Sequence, residues 1–504
     1  MRLLSILIFF SLIAFTSTHA AVEDWKEYRS DTITIFSNLS EYKVTKLIKD
    51  VERAGPYLAA ITGLKGNNSP LPVTMYLYRN QAEFRDVIGT RQVLGVYRST
   101  LDGGRAATVG GEQIDPRKLG GRQVVLHEFA HHYLAQLSPL DYPVWYIEGF
   151  ADLLSTIAYS REKTRIGTPL SPRVAPLNDR KSWADLTSIL YARDPDIGKS
   201  GDWTGLDRFY GQSWLLAHMI HMHPALQAGR DGFLRKISTD MDPLEAIESS
   251  FSLSAKKFES LYSKYWKGGT LPFVEFPSQN YRDPIIKVRT LNADQSEAIH
   301  WKAQLDFTET RERYAELILD MHDALLKREN PEIRFLFADA LLSFERPDRA
   351  GEQIDKVLAF KPEHRGAKFL RERINIDIAV RRLEAHGVKA IENYDFKSIK
   401  QNLHYLLNKD PTNAHILYRM GLAHFLDASS ETGQSAAYMR QALTLLPQNN
   451  EVRLMLAKAL IKDKNLTAAC NALQHVKYYA KDDKLEQAAQ KEISRLEKQS
   501  FHCL

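Results

Sequence analysis

Apolar residues recur along this chain in two rhythms. Period two runs through residues 31–38, where Ile33 and Ile35 share a face opposite Thr32 and Thr34. It returns where Val73, Met75 and Leu77 alternate with Thr74, Tyr76 and Tyr78. Both patterns predict half-buried strands. Val93 to Arg98 and Arg105 to Val109 flank Asp102-Gly103-Gly104, which predicts a hairpin. Between the strands, Val44, Leu47, Ile48, Val51 and Ala54 recur at helical spacing, so residues 41–62 predict a helix stopped by Gly63. From Gly121 onward the helical period dominates. Residues 121–137, 143–158, 206–222 and 242–267 predict helices, and 159–205, rich in Pro, Asp and Gly, predict loop with short pieces. Residues 271–294, with Pro272, Pro277 and Pro284, predict a linker.

Beyond about residue 295 the pattern is nearly all helical, and a longer period emerges. Counted from Pro331, small or apolar residues fall at Phe337, Ala338, Leu341, Ala350, Ile354 and Val357, followed by Pro362. The frame returns at Ala414 with Leu417, Gly421, Met439, Ala442 and Pro447, given two inserted residues. It returns again at Asn450 with Leu456, Ala457, Leu460, Ala469, Leu473 and Val476, and 396–411 predict the second helix of another unit. This spacing resembles the 34-residue tetratricopeptide repeat, a pair of antiparallel helices, in degenerate form. The region 295–504 is expected to fold alone as such an array.

Composition narrows the function. With 44% hydrophobic and 26% charged residues the chain is globular. A net charge of +5 from 67 basic and 62 acidic side chains gives no nucleic-acid footprint. Two cysteines, Cys470 and Cys503, exclude a Cys-rich zinc module and a disulfide scaffold, though the two could pair with each other. At the N-terminus, Arg2, the apolar run Leu3 to Phe15 and small residues around Ala20 predict a cleaved signal peptide. The run is short of the roughly 20 residues a spanning helix needs. An exported protein, periplasmic or secreted, is expected, with no membrane span after cleavage.

The chemistry lies in Val124-Val125-Leu126-His127-Glu128-Phe129-Ala130-His131-His132-Tyr133. On a helix, His127 and His131 stand about 40° apart, one turn above the other, so both imidazoles can hold one metal ion. Glu128 lies about 60° from His131 and can reach a water at that metal. His132 lies about 140° from His127 and is a poor substitute ligand. The neighbours are apolar on almost every side, so the helix should be buried, and buried polar groups in this number need a reason. Downstream, Pro143-Val144-Trp145-Tyr146-Ile147-Glu148-Gly149-Phe150-Ala151-Asp152 predicts a second helix. Gly149 and Ala151 permit close approach of a neighbouring helix. A catalytic zinc takes three protein ligands and keeps an open position. His127, His131 and Glu148 supply two nitrogens and an oxygen, and Asp152, one turn on, can orient a ligand histidine through its other ring nitrogen.

With these motifs the sequence resembles the gluzincins, zinc metallopeptidases with HExxH and a downstream glutamate ligand. The Trp-x-x-Glu-Gly-x-Ala wording is similar to the peptidase MA-like branch of exported bacterial proteins. The resemblance covers roughly residues 25–270, with its specific motifs in 127–152. It implies one zinc per chain on His127, His131 and Glu148, Glu128 as general base, and a protein or peptide substrate. Tyr210 matches a tyrosine that related domains use as an oxyanion donor. By the same analogy the strand Arg105 to Val109 could pair with an extended substrate. The expected architecture is α+β. A signal peptide (1–20) precedes an α/β lobe (21–120) and a helical zinc-site lobe (121–270), then the linker (271–294) and an all-α tetratricopeptide-like array (295–504) that recruits a client or partner protein. The alternative is a catalytically silent, protease-like scaffold that acts through its repeats. A weaker signal is His218, Met219, His221, Met222 and His223, a soft and imidazole set suited to copper or to ordinary packing.

Overall fold

The computed structural model describes residues 25–503 except 64–70, 90–92, 111–118, 139, 193–202, 240, 267–270, 279–280, 309, 481 and 500. The expected signal peptide lies outside the described residues. The chain begins with β1 (Lys26–Arg29), β2 (Ile33–Ser37), α1 (Glu41–Thr62), β3 (Val73–Tyr78), α2 (Gln81–Ile88), β4 (Gly95–Thr100) and β5 (Gly103–Val109). Gly63 closes α1 in the left-handed conformation at φ 70°, which glycine adopts without a Cβ penalty.

The helical lobe follows with α3 (Gly121–Leu137), α4 (Val144–Ser155), β6 (Ala158–Tyr159), β7 (Lys163–Ile166), α5 (Ser171–Val174), α6 (Leu186–Leu190), α7 (Trp203–Met222), α8 (Arg230–Ile237), α9 (Pro243–Phe251) and α10 (Ala255–Tyr265). The single helix expected over 242–267 is two. Ser252, at φ 54°, turns the chain, and the Ser254 side chain caps the second helix by accepting from the Lys257 amide.

The segment expected to be a linker is structural. It contributes β8 (Val274–Pro277) and β9 (Lys287–Thr290). β8 completes a small sheet of order β6-β7-β8, and β9 pairs antiparallel with β1. The main sheet runs β4-β5-β3-β2-β1-β9. β3 is parallel to both β2 and β5, and β4 is antiparallel to β5. β5 is therefore paired on both edges and cannot receive a substrate strand. The open edge on that side belongs to β4.

One face of the sheet packs Ile33, Ile35, Val73, Met75 and Leu77 against α1 and against Val125, Leu126 and Phe129 of α3. The other face packs Tyr76, Tyr78 and Ala107 against Phe84 and against Ala303 and Phe307 of α11 (Ala293–Phe307). The array expected to begin near 295 thus lends its first helix to the sheet, and the two regions share a core. Asp306 of α11 accepts from the Tyr76 hydroxyl at 2.7 Å, and its carbonyl accepts from Arg98 at 2.8 Å.

The remaining helices are α12 (Arg311–Lys327), α13 (Pro331–Ser343), α14 (Pro347–Phe360), α15 (Arg365–His386), α16 (Phe396–Lys409), α17 (Ala414–Leu426), α18 (Gln434–Leu445), α19 (Asn450–Lys462), α20 (Leu466–Tyr479) and α21 (Asp483–Lys498). From α13 to α20 they form successive helix pairs, an all-α repeat array. The frame residues Phe337, Ala338, Leu341, Ala350, Ile354 and Val357 are all buried. Cys470 and Cys503 form a disulfide with Cα atoms 5.2 Å apart, which ties the segment after α21 to α20. No helix of the described residues is long and apolar enough to cross a membrane.

Candidate metal centre

Helix α3 is apolar on nearly all sides and is buried along most of its length. Two of its three histidines, His127 and His131, face Glu148 of α4, and α4 is itself packed closely on α7. A Cβ on Gly149 would overlap the Ser213 carbonyl of α7. This brings Glu148 to the histidine pair. Glu148 Oε2 lies 3.2 Å from His127 Nε2 and 3.7 Å from His131 Nε2. The three ligand atoms lie within 4.8 Å of one another. Donors about 2.05 Å from a tetrahedral zinc stand about 3.3 Å apart, so the spacing suits that ion.

Behind His127, Asp152 Oδ1 accepts from Nδ1 at 2.9 Å. That bond fixes the tautomer and leaves the Nε2 lone pair directed at the cluster. The second Asp152 oxygen is 2.5 Å from Nε of Arg173. Arg173 also lies over the Tyr210 ring, 4.7 Å from its centroid. Tyr210 is beside the site, its ring 6.5 Å from that of His127. Glu128 is buried next to the cluster, under β4, where a Cβ on Gly95 would overlap its carboxylate.

Either protons or a cation can balance the charges here. With the histidines neutral and the three carboxylates Glu128, Glu148 and Asp152 ionised, the state that ligation requires, the cluster and Arg173 carry a surplus of two negative charges, which one divalent ion would offset. Burial alone would lower the His127 pKa, but Asp152 and Glu148 push it up to about 10. Burial pushes Glu128 up to about 8, with Glu148 and Asp152 adding to the effect and His127 opposing it. Burial would also raise Glu148 and Asp152. The histidines at Glu148, and Arg173 with His127 at Asp152, hold both below their ordinary values instead. The residues present therefore fit a zinc ion in donor type, spacing and charge.

His132 turns away from the cluster. Its Nε2 donates to the Leu71 carbonyl at 2.7 Å, its Nδ1 faces the Tyr97 hydroxyl at 3.3 Å, and burial lowers its pKa to about 4. The His218 cluster holds no ligand set. His218 bonds the Tyr265 hydroxyl and the Gly167 carbonyl, both at 2.9 Å, and His221 bonds the Tyr146 hydroxyl at 3.0 Å. Two site residues escaped the sequence. Arg173 lies in the stretch read as loop, and Tyr97 of β4 sits with its ring 6.1 Å from that of His131. A glycine inside a strand was the available signal for β4, since it marks close backbone approach.

No protein-family model matches the chain, and no curated protein matches it. Among solved structures it is similar to MamA, residues 41 to end, from Desulfovibrio magneticus RS-1, at 17% identity over 39% of this chain and 97% of that one, with a TM-score of 0.27. It is similar to TTC0263, a thermophilic TPR protein of Thermus thermophilus, at 19% identity over 39% and 97%, with a TM-score of 0.31. It is also similar to yeast Tom70, at 12% identity over 74% of this chain and 69% of that one, with a TM-score of 0.27. The likeness is too slight to carry an inference about this chain.

Proposed function

We propose that this protein is an exported zinc metallopeptidase of the gluzincin type whose repeat array recruits protein clients. The observation that carries the reading is the convergence of His127, His131 and Glu148 with Glu128 beside them and Asp152 behind. A zinc ion bound there supplies Lewis acidity, which polarises a carbonyl and acidifies water. His127, His131 and Glu148 would hold the ion, and Asp152 keeps the His127 ring in the ligating tautomer. Glu128 takes the proton of the attacking water and delivers it to the leaving amine. Tyr210, half-buried at the edge of the cluster, would donate its hydroxyl to the substrate oxygen that gains charge. The open edge of β4, not β5, is where an extended peptide could lie along the site. Export accords with the Cys470–Cys503 disulfide, since such bonds persist in oxidising compartments.

The test is Glu128→Gln, which keeps the volume but cannot carry the proton. The variant should fold and retain zinc yet lose cleavage of an exported-protein mixture by a factor on the order of a hundred. New termini are read by mass spectrometry. Equal termini from wild type and variant, or none from zinc-loaded wild type, would leave the silent scaffold as the better reading.

A further inference from the structure

Beyond the packing of α11 on the sheet, the repeat array touches the rest of the molecule at two further places, and both belong to elements that frame the cluster. The first is the tip of the β4–β5 hairpin. Leu101 packs into the array's main apolar cluster. Beside it, His415 Nδ1 donates to Asp102 at 2.8 Å. His415 Nε2 accepts from Arg419 Nε at 3.3 Å, and Arg419 pairs with Asp377 at 2.7 Å. Both ring nitrogens are thus used by a neutral ring. Burial indeed pulls His415 below its ordinary pKa despite the Asp102 charge. The Phe369 ring lies edge-on to His415 at 5.0 Å. These side chains come from α15 and α17, the first helices of successive repeats. Asp102 keeps 44% of its side chain in water, so its charge contact is modest and Leu101 carries much of the docking.

The second place is the connection between α3 and α4, which separates His131 from Glu148. The Gln448 amide, in the turn before α19, faces the carbonyls of Leu134 at 3.4 Å, Ser138 at 3.2 Å and Leu140 at 2.8 Å. It satisfies carbonyls at the C-terminal end of the active-site helix. His475 of α20 stands 3.4 Å from Asp141 on the same connection.

Both contacts lead to the cluster through packed atoms. The hairpin carries Gly95 against Glu128 and Gly104 against His132, where a Cβ would overlap either side chain. The α3–α4 connection sets how Glu148 approaches the two histidines. We infer that the array is a brace for the metal centre, with His415 and Gln448 as its positioning residues. This rests on reading the cluster as a metal site. The array then has a structural task besides recruitment, and releasing it should loosen both the β4 wall and the ligand set.

The test uses the full-length mature protein with Asp102→Ala, Gln448→Ala and the double variant. Asp102→Ala removes an exposed carboxylate from a turn, and Gln448→Ala removes a half-buried amide at the edge of the contact, so neither leaves a core cavity. Asp427→Ala, which breaks an ion pair within the array, is the control. Amide hydrogen exchange in 95–100 should quicken about fivefold in Asp102→Ala, and in 134–142 by a similar factor in Gln448→Ala. The double variant should weaken zinc binding about tenfold in a chelator competition. Unchanged exchange at both segments, or the same change in the control, overturns the brace. Exchange decides this even in a chain that binds no zinc, so failure of the brace is distinct from failure of the metal reading. Should one variant not fold, the other segment's exchange decides.

Discussion

Asp152→Asn is the sharpest perturbation of the candidate centre. The side chain is fully buried and both oxygens are engaged, one by His127 at 2.9 Å and one by Arg173 at 2.5 Å. Asparagine keeps the volume but has one carbonyl where the carboxylate has two oxygens. It can accept from His127 or face Arg173, and its amide group then meets a donor. If it turns its amide to His127, the tautomer is no longer fixed and Nε2 stops being a dependable ligand. Partners of this kind typically account for 10–100-fold in metal affinity, about 1.4–2.8 kcal/mol. Breaking a buried ion pair from one side destabilises a fold by about 3–5 kcal/mol, because the other charge is left unpaired. Arg173→Met breaks the same pair from the other side. It should lower the melting temperature as Asp152→Asn does, but it keeps the His127–Asp152 bond and removes a cation that competes with the metal. The two variants therefore separate stability from ligation. Chelator competition should show weakened zinc in Asp152→Asn and no weakening in Arg173→Met, with both melts depressed. Equal zinc affinities in Asp152→Asn and wild type would refute the orienting role. Equal losses in both variants would reduce the pair to packing.

Gly95→Ala probes the β4 wall. The glycine has no strained backbone, so alanine fits the strand, but its Cβ competes with the Glu128 carboxylate. Peptide hydrolysis should fall about a hundredfold while zinc is retained, and unchanged hydrolysis would contradict the placement of Glu128 as proton carrier. A second prediction concerns acid. Burial holds His218 at about 4 and His221 at about 3, so the unfolded chain binds these protons near pH 6.5 while the folded chain does not. Their contribution is complete above about pH 6.5 and is lost as pH falls toward 4, by up to about 2.7 kcal/mol per pH unit for the two together. Urea unfolding at pH 7, 6 and 5 should show a shallower acid loss in His218→Gln/His221→Gln, and equal slopes would contradict it.

What the sequence disclosed was local. Helix 41–62 was legible because its apolar stripe and its glycine stop agree, and α3 because two histidines four residues apart share a face whatever surrounds them. Glu148 and Asp152 were legible because they sit one turn apart on the next helix. Arg173 was not, because its partners are chosen by the tertiary fold: it meets Asp152 and Tyr210 across two other elements, and nothing periodic marks it. The repeat frame was legible where it holds and lost where it stretches. Helices α13, α15, α17 and α19 begin at residues 331, 365, 414 and 450. The frame continues in step at α15, but α15 runs to His386 and buries Glu372, bonded to Asn375 and Asn402, on what would otherwise be an apolar face.

The segment 271–294 shows why composition misled about the boundary. Every residue of β9 is exposed, so no alternation of apolar side chains announces a strand. What makes it one is backbone pairing with β1, with Tyr28 opposite Val288, and such pairing leaves no mark in side-chain pattern. Yet this silent strand fixes the direction in which the chain enters α11, and α11 in turn covers the sheet face opposite α1 and α3. The array is therefore joined to the metal-centre lobe through β9, through α11, and through the contacts of Asp102 and Gln448. Hinge motion at a linker needs few crossing contacts, and here the crossing contacts include a strand pair, a shared apolar core and half-buried hydrogen bonds. If the array recruits clients as proposed, a client held on it would meet the His127, His131 and Glu148 cluster at a set distance and angle, so the reach of the array, more than the affinity of the cleft, would decide which bond comes to Glu128.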